Sequence, residues 1–237
     1  MVTGAASGIG RATAVALAEE GCVVVAADLN EDGARDAAAE IDSAHGFGVD
    51  VSAPDSVSSF AGRVLDELGV PDVVVNCAGW DETRPFLETD STFWERVVRI
   101  NLLGVVAVTH AFLGAMVERG RGGRVVNVAS DAGRVGSSGE TVYAGAKGGV
   151  VAFTKSVARE TARHGITANV VCPGPTDTAL FRAQPERLQE ALVKAVPMRR
   201  LGTPEDVAQA ICFFAAERAG YVTGQVLSVS GGLTMAG

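Results

Sequence analysis

Tyr143 and Lys147 stand four residues apart in Val-Tyr-Ala-Gly-Ala-Lys-Gly-Gly, and Ser130 closes the apolar run Arg-Val-Val-Asn-Val-Ala-Ser upstream of them. Positions i and i+4 share a helix face, so an ammonium at Lys147 can lie close to the Tyr143 phenol and favour the phenolate. A phenol titrates near about 10 in water, and lowering that value toward working pH makes it an acid or base for an alcohol or ketone oxygen. A solvated helix face displays the same pair. The elements that would have to position these groups decide between the two.

Short valine-rich runs alternate with longer helical patterns, and each run is stopped by glycine, asparagine or aspartate. Strands are predicted at 1–3, 23–28, 47–51, 72–76, 124–129, 166–172 and 226–229, and helices at 10–20, 32–41, 54–68, 91–119, 143–164, 185–194 and 204–216. Asp90 before Ser91, and Thr203 before Pro204 with Glu205 and Asp206, are helix-start signals. Most of the runs are apolar on both faces, as buried parallel strands require. The sum is an α/β chain with a doubly wound parallel sheet of about seven strands, flanked by helices on both faces. Such a sheet binds ligands at the carboxyl ends of its strands.

The chain has 237 residues, 47% of them hydrophobic and 20% charged, which suits one domain over 1–237 with one sizeable core. A net charge of -8 argues against a basic face for nucleic acid, so no nucleic-acid partner is expected. No secretory leader is visible and no uninterrupted apolar segment looks long enough to span a bilayer, so a cytoplasmic protein with no membrane partner is expected. Cys22, Cys77, Cys172 and Cys212 lack pairing or metal-ligand spacing; they read as reduced core residues, and no metal is expected.

The first strand runs into Thr-Gly-Ala-Ala-Ser-Gly-Ile-Gly, which holds Gly4, Ser7, Gly8, Ile9 and Gly10. Glycines there let the backbone turn, approach a pyrophosphate and aim helix N-terminal N–H groups at it. Asp28 ends the next strand, where a carboxylate accepts hydrogen bonds from adenosine ribose hydroxyls and repels a 2′-phosphate. Ala6 and Ser7 add no basic side chain for such a phosphate, so NAD is the expected cofactor.

Thr-Gly-x-x-x-Gly-x-Gly, Asn76-Cys77-Ala78-Gly79, Asn101, Ser130, Tyr143-x-x-x-Lys147 and Pro173-Gly174 together resemble, in order and spacing, the short-chain dehydrogenase/reductase family over essentially the whole chain. The resemblance implies a Rossmann domain, NAD-linked interconversion of an alcohol and a ketone, and a homotetramer. It implies that Tyr143 exchanges a proton with the substrate oxygen, that Ser130 holds this oxygen, and that Lys147 binds the nicotinamide ribose and lowers the Tyr143 pKa. Asn101 would hold a water linking Lys147 to solvent. For the cofactor, Asp28 and Leu29 would meet the adenosine ribose, and Asp50 and Val51 the adenine. Asn76, Ala78 and Gly79 would line the ribose and phosphate path, and Pro173, Gly174, Thr176 and Thr178 would approach the nicotinamide carboxamide. Two departures stand out. Cys77 replaces the second asparagine of Asn-Asn-Ala-Gly, and Met1-Val2-Thr3 is a short first strand, which suggests a truncated or late-assigned start.

Substrate choice is expected in 80–86, 131–140 and 178–201, the last a lid, with Trp80, Asp131 and Arg182 as substrate contacts. Ala-Gly-Trp-Asp, Ala-Ser-Asp-Ala-Gly-Arg-Val-Gly-Ser-Ser-Gly-Glu and the ending Gly-Gln-Val-Leu-Ser-Val-Ser-Gly-Gly-Leu-Thr-Met are similar to the 2-hydroxycyclohexanecarboxyl-CoA dehydrogenases. That narrower resemblance implies a cyclic β-hydroxyacyl-CoA, whose phosphates Arg182, Arg187, Lys194, Arg199 and Arg200 would anchor. Two rivals remain: a 3-oxoacyl thioester reductase using NADPH, and a non-catalytic NAD-binding sensor or scaffold that keeps the fold.

Overall fold

A computed structural model of the chain describes residues 1–235. Seven strands form one parallel sheet: β1 (Val2–Thr3), β2 (Val24–Asp28), β3 (Ala44–Gly48), β4 (Val73–Asn76), β5 (Gly123–Val128), β6 (Ile166–Pro173) and β7 (Val226–Val229). Their spatial order is β3-β2-β1-β4-β5-β6-β7, so the chain winds outward from β1 in one direction and then, from β4, in the other. The main helices are α1 (Gly8–Glu19), α2 (Glu31–Ala39), α3 (Pro54–Glu67), α4 (Ser91–Val98), α5 (Gly104–Arg119), α6 (Ala132–Val135), α7 (Thr141–Thr161), α8 (Ala179–Arg182), α9 (Glu186–Ala195) and α10 (Pro204–Ala215).

Strand alternation divides the core between the two faces of the sheet. Val25 and Ala27 of β2 point to a cluster with Phe60 of α3, Phe112 and Met116 of α5 and Val157 of α7. Val24 and Ala26 point to the opposite cluster, with Leu17 of α1 and Ile211 and Phe214 of α10. The expected capping signals operate: the Phe93 N–H donates to the Asp90 carboxylate at 2.9 Å, and Thr203 and Asp206 form a reciprocal capping box. β1 is short but paired on both sides, Val2 opposite Ala26 and Val75, and the Met1 ammonium donates to the Val73 carbonyl at 2.9 Å.

Four expectations need correction. β3 lies three residues before its predicted place, where Gly46 admits the backbone of α2, a Cβ on it falling 2.5 Å from the Arg35 Cα, and Gly48 admits the Glu31 side chain. Asp50 and Val51 are thereby freed to turn over the strand ends, with the Val49 N–H still donating to the Asp28 carbonyl. The helix predicted over 91–119 is continuous but contains a π turn at Arg99–Leu103. By length and composition alone this Ser91–Arg119 helix could cross a bilayer, its mean hydropathy reaching 1.9, contrary to the sequence-based expectation. Its apolar character has a local cause: Val97, Val105, Val108, Phe112 and Met116 are buried in the domain, while Trp94 and Leu103 extend the apolar surface outward. Finally, Cys22 is exposed rather than in the core, since it follows the turn that ends α1.

Candidate active site

The sheet reverses direction between β1 and β4, and the crevice of a doubly wound sheet opens beyond the carboxyl ends of the strands at that point. A cavity of ≈ 750 Å³ occupies this position. Its floor is the glycine turn after β1. Gly4 has φ +69°, and a Cβ on it would lie 2.9 Å from the backbone of Ala78; a Cβ on Gly10 would lie 2.0 Å from the Gly4 carbonyl oxygen. Glycine is therefore required at both positions for α1 to start where its N–H groups face the cavity. The Thr3 hydroxyl accepts from the Cys77 and Ala78 N–H groups at 3.1 and 3.2 Å, joining this turn to the one after β4.

At one end of the cavity Asp28 ends β2, its carboxylate accepting from the Ala6 and Asn30 N–H groups at 3.0 Å each. Leu29, Asp50 and Val51 complete that end. At the other end, α7 brings Tyr143 and Lys147 to the side of the cavity where Ser130 follows β5. The Lys147 Nζ donates to the Val128 carbonyl at 2.9 Å and lies 5.5 Å from the Tyr143 ring centre. Burial lowers the Lys147 pKa to about 8. Burial raises that of Tyr143, helped by Glu140 and Asp81, with a hydrogen bond from Ser130 opposing. The lowering of the Tyr143 pKa by Lys147 that the resemblance implies does not appear among these effects, in which desolvation comes first and the two nearby carboxyls act in the same direction. A protonated phenol hydrogen-bonded to a serine hydroxyl is arranged to deliver a proton to a ketone oxygen, or with a change of pH to take one from an alcohol.

Of the residues singled out in the sequence, the cavity wall contains Gly4, Ser7, Gly8, Ile9, Gly10, Asp28, Leu29, Asp50, Val51, Ala78, Gly79, Trp80, Ser130, Asp131, Tyr143, Lys147, Pro173, Gly174, Thr176 and Thr178. Asn76, Asn101, Arg182 and the basic residues Arg187, Lys194, Arg199 and Arg200 lie elsewhere. Asn76 is buried and donates to Thr109 and Asn127, at 3.0 and 2.8 Å, inside the core. Asn101 is fully buried in the π turn: it donates to the Trp80 and Val97 carbonyls, at 2.6 and 2.9 Å, and accepts from the Trp80 N–H at 3.2 Å. Its amide fastens the Gly79–Trp80 backbone to the distorted helix.

Arg182 forms a two-pronged pair with Asp177, at 2.7 and 2.9 Å, and faces solvent. Three further members of the proposed basic anchor are engaged within the chain: Arg200 pairs with Asp206, Lys194 with Glu190, and Arg199 donates to the Lys194 carbonyl, while Arg187 lies exposed on α9. The segment 178–201 contributes apolar wall instead, through Leu180, Phe181, Leu188 and Leu192. Cys77 borders the cavity, and burial pushes its thiol up to about 12, so it is not a nucleophile there. Three charged cavity groups went unnamed in the sequence reading as individual residues: Asp81, Glu140, and Arg96, whose guanidinium lies 3.7 Å from the Trp80 ring centre. Their signals were slight, an acid following Ala-Gly-Trp, another following Ser-Ser-Gly, and an arginine on a helix.

A glycine turn opening a helix, an acid closing the second strand, and a serine, tyrosine and lysine meeting beside them define a dinucleotide-binding α/β oxidoreductase. A family model described as enoyl-(acyl carrier protein) reductase matches residues 4–234. The chain belongs to the short-chain dehydrogenase/reductase family, whose members use a nicotinamide nucleotide. It is 39% identical over 247 residues to a (3R)-3-hydroxyacyl-CoA dehydrogenase of Mus musculus, covering 99% of this chain and 95% of that protein. It is 37% identical over 236 residues to the 3-oxoacyl-(acyl-carrier-protein) reductase FabG of Vibrio cholerae, covering 99% and 96%. A solved structure titled ribose-5-phosphate isomerase, from Brucella melitensis, superposes with a TM-score of 0.92 at 36% identity, covering 100% of this chain and 91% of that one.

Proposed function

We propose that the protein interconverts a β-hydroxyacyl thioester and its β-ketoacyl thioester using NAD, with a cyclic acyl group of the 2-hydroxycyclohexanecarboxyl-CoA type as the substrate. The observation that carries the reaction type is the meeting of Ser130, Tyr143 and Lys147 in the cavity that Gly4, Gly10 and Asp28 shape for a dinucleotide. The residues present fit that group. The glycine turn would hold its pyrophosphate, Asp28 and Leu29 its adenosine ribose, Asp50 and Val51 its adenine. Ala78, Gly79 and Lys147 would hold the second ribose, and Pro173, Gly174, Thr176 and Thr178 the carboxamide. When bound, the nicotinamide supplies the hydride acceptor. Ser130 holds the substrate oxygen and Tyr143 moves the proton, both placed by β5 and α7.

The substrate class is supported by the relatives, which are named for 3-hydroxyacyl-CoA and 3-oxoacyl thioesters. The apolar wall of Leu180, Phe181, Leu188 and Leu192 suits a hydrocarbon ring or chain. A spectrophotometric assay of NAD reduction should show cyclic β-hydroxyacyl-CoAs used at least ~10-fold better, in kcat/KM, than linear ones or simple alcohols. Equal use of simple secondary alcohols would sink the thioester reading, and better use of linear thioesters would replace the ring with a chain.

A homotetramer is the proposed assembly. Phe86, Leu87, Trp94 and Leu103 expose apolar surface on and before the long helix, which a second copy would cover. Light scattering should give about four times the 24.3 kDa chain mass; a monomer at micromolar concentration would refute it.

A further inference from the structure

Three carboxyls of the cavity wall, Asp81, Asp131 and Glu140, have no part in the proposed chemistry, and Asp131 is already held by the Ser228 hydroxyl. Asp81 follows Trp80 in the loop after β4, yet it is only 7% exposed. Among the described residues its Oδ2 atom is sealed from the surface and has no hydrogen-bond partner. It borders the same cavity as Ser130, Tyr143 and Glu140. Glu140, from the turn before α7, and Glu82, from its own segment, face it as like charges, and Lys147 of α7 faces it as the opposite one; Tyr143 senses it in turn. Burial above all, and then Glu140, raise its pKa to about 7, with the Glu82 backbone N–H and Lys147 opposing.

Loop aspartates normally sit in water, and a buried carboxyl oxygen without a partner is tolerated where a ligand completes it. A neutral carboxyl can donate to a carbonyl or exchange hydrogen bonds with a hydroxyl. Two carboxyls side by side also make that wall hostile to a further negative charge.

We propose that Asp81 is a specificity-determining residue: when substrate enters, its carboxyl turns so that Oδ2, enclosed and unpartnered before, hydrogen-bonds a neutral oxygen carried beside the reacting carbinol, and the Asp81–Glu140 wall excludes substrates that place a carboxylate there. The inference rests on the β-hydroxyacyl thioester reading, since the thioester carbonyl is the neutral oxygen and the free hydroxy acid is the excluded form. It discriminates at the reacting end of the substrate and needs no contact with CoA phosphates.

The test uses a 3-hydroxyacyl N-acetylcysteamine thioester, which lacks the CoA phosphates, and the matching free acid, assayed with NAD between pH 5.5 and 9. The wild type should prefer the thioester by ~10-fold or more, with KM for it rising as pH passes through about 7 and Asp81 loses its proton. Asp81→Asn keeps a donor and loses the charge, so it should flatten the KM profile and narrow the thioester-to-acid ratio several-fold. Asp81→Leu removes the donor and should raise KM for the thioester at every pH. Thermal melting gives a second readout. The folded pKa lies above the unfolded value, so the carboxyl costs stability only once pH has risen through the interval between them. Asp81→Asn should therefore raise the melting temperature at pH 8 and not at pH 4.

A wild type whose KM is flat with pH, or an Asp81→Asn enzyme with an unchanged thioester-to-acid ratio, would overturn the assignment alone. A wild type that turns over alcohols but no thioester would overturn the substrate reading, and the assignment with it.

Discussion

Replacing Tyr143 with phenylalanine should lower turnover about 10³-fold, within the range that general acid–base groups contribute. The loss should fall on kcat, with NADH binding, read by quenching of protein fluorescence, largely retained, because the ring remains packed in α7 and only the hydroxyl at the cavity is removed. The pH dependence has a fixed sign. Burial, Glu140 and Asp81 hold the Tyr143 phenol above its usual value, so the protonated form that donates to a ketone dominates at neutral pH. Alcohol oxidation needs the base form and should climb as pH is raised through the alkaline range, while ketone reduction should be favoured near neutrality and decline as pH rises. A Tyr143→Phe enzyme with wild-type turnover would remove the tyrosine from the chemistry. Oxidation that falls between pH 7 and 9 would contradict the protonation state assigned to it.

The second large effect concerns cofactor choice. Asp28 ends β2 with its carboxylate fastened by two backbone N–H groups, so it cannot swing away from an approaching phosphate without breaking both bonds. Repulsion between a fixed carboxylate and a 2′-phosphate is a penalty against one partner, and a few kcal/mol of it corresponds to a preference for NAD of about 100-fold. Asp28→Asn leaves one amide oxygen for two N–H groups that meet separate carboxylate oxygens, so it should cost about 1 kcal/mol of stability at this strand end; with the charge gone it should cut the NAD-to-NADP ratio of kcat/KM by roughly tenfold or more. Steady-state kinetics with both nucleotides decides the matter. Better use of NADPH by the wild type would overturn the assignment of Asp28 and favour the reductase alternative.

The parts of this molecule that could be read from its sequence are those dictated by local chemistry. A glycine turn at Gly4, Gly8 and Gly10, an acid at Asp28, and a tyrosine and lysine one helical turn apart each carry their constraint within a few residues. The alternation of valine runs and helices was sufficient for the seven-stranded parallel sheet. What escaped was set by contacts that depend on how the folded backbone aims each side chain. β3 lies where α2 can press on Gly46, a constraint invisible in the apolar run Phe-Gly-Val-Asp-Val that suggested a later strand. Asn101 looked like a group available to water, but the π turn aims it at the Trp80 backbone. Arg182 looked like an anion anchor until its partner, Asp177, could be seen five residues before it. The direction of the Tyr143 pKa is set by burial and by the carboxyls of Glu140 and Asp81, which only the folded cavity brings beside it.

The core amides hold a last consequence. Asn127 on β5 accepts from Asn76 on β4 and donates to Thr154 on α7, at 2.8 Å each, while Asn76 also reaches Thr109 on α5. These bonds rivet the strand that leads to Ser130 to the helix that carries Tyr143 and Lys147, wholly within the interior. The loops at 80–86, 131–140 and 178–201 form the rest of the wall and take no part in the rivet. The placing of the proton-transfer groups and the choice of substrate are thus inherited through separate parts of the chain, although Asp81 and Glu140 in the loops still tune the Tyr143 phenol. Loops can be exchanged, lengthened or recharged by evolution or by an engineer, and the interior will still present the same proton-transfer geometry to whatever acyl group the new wall admits.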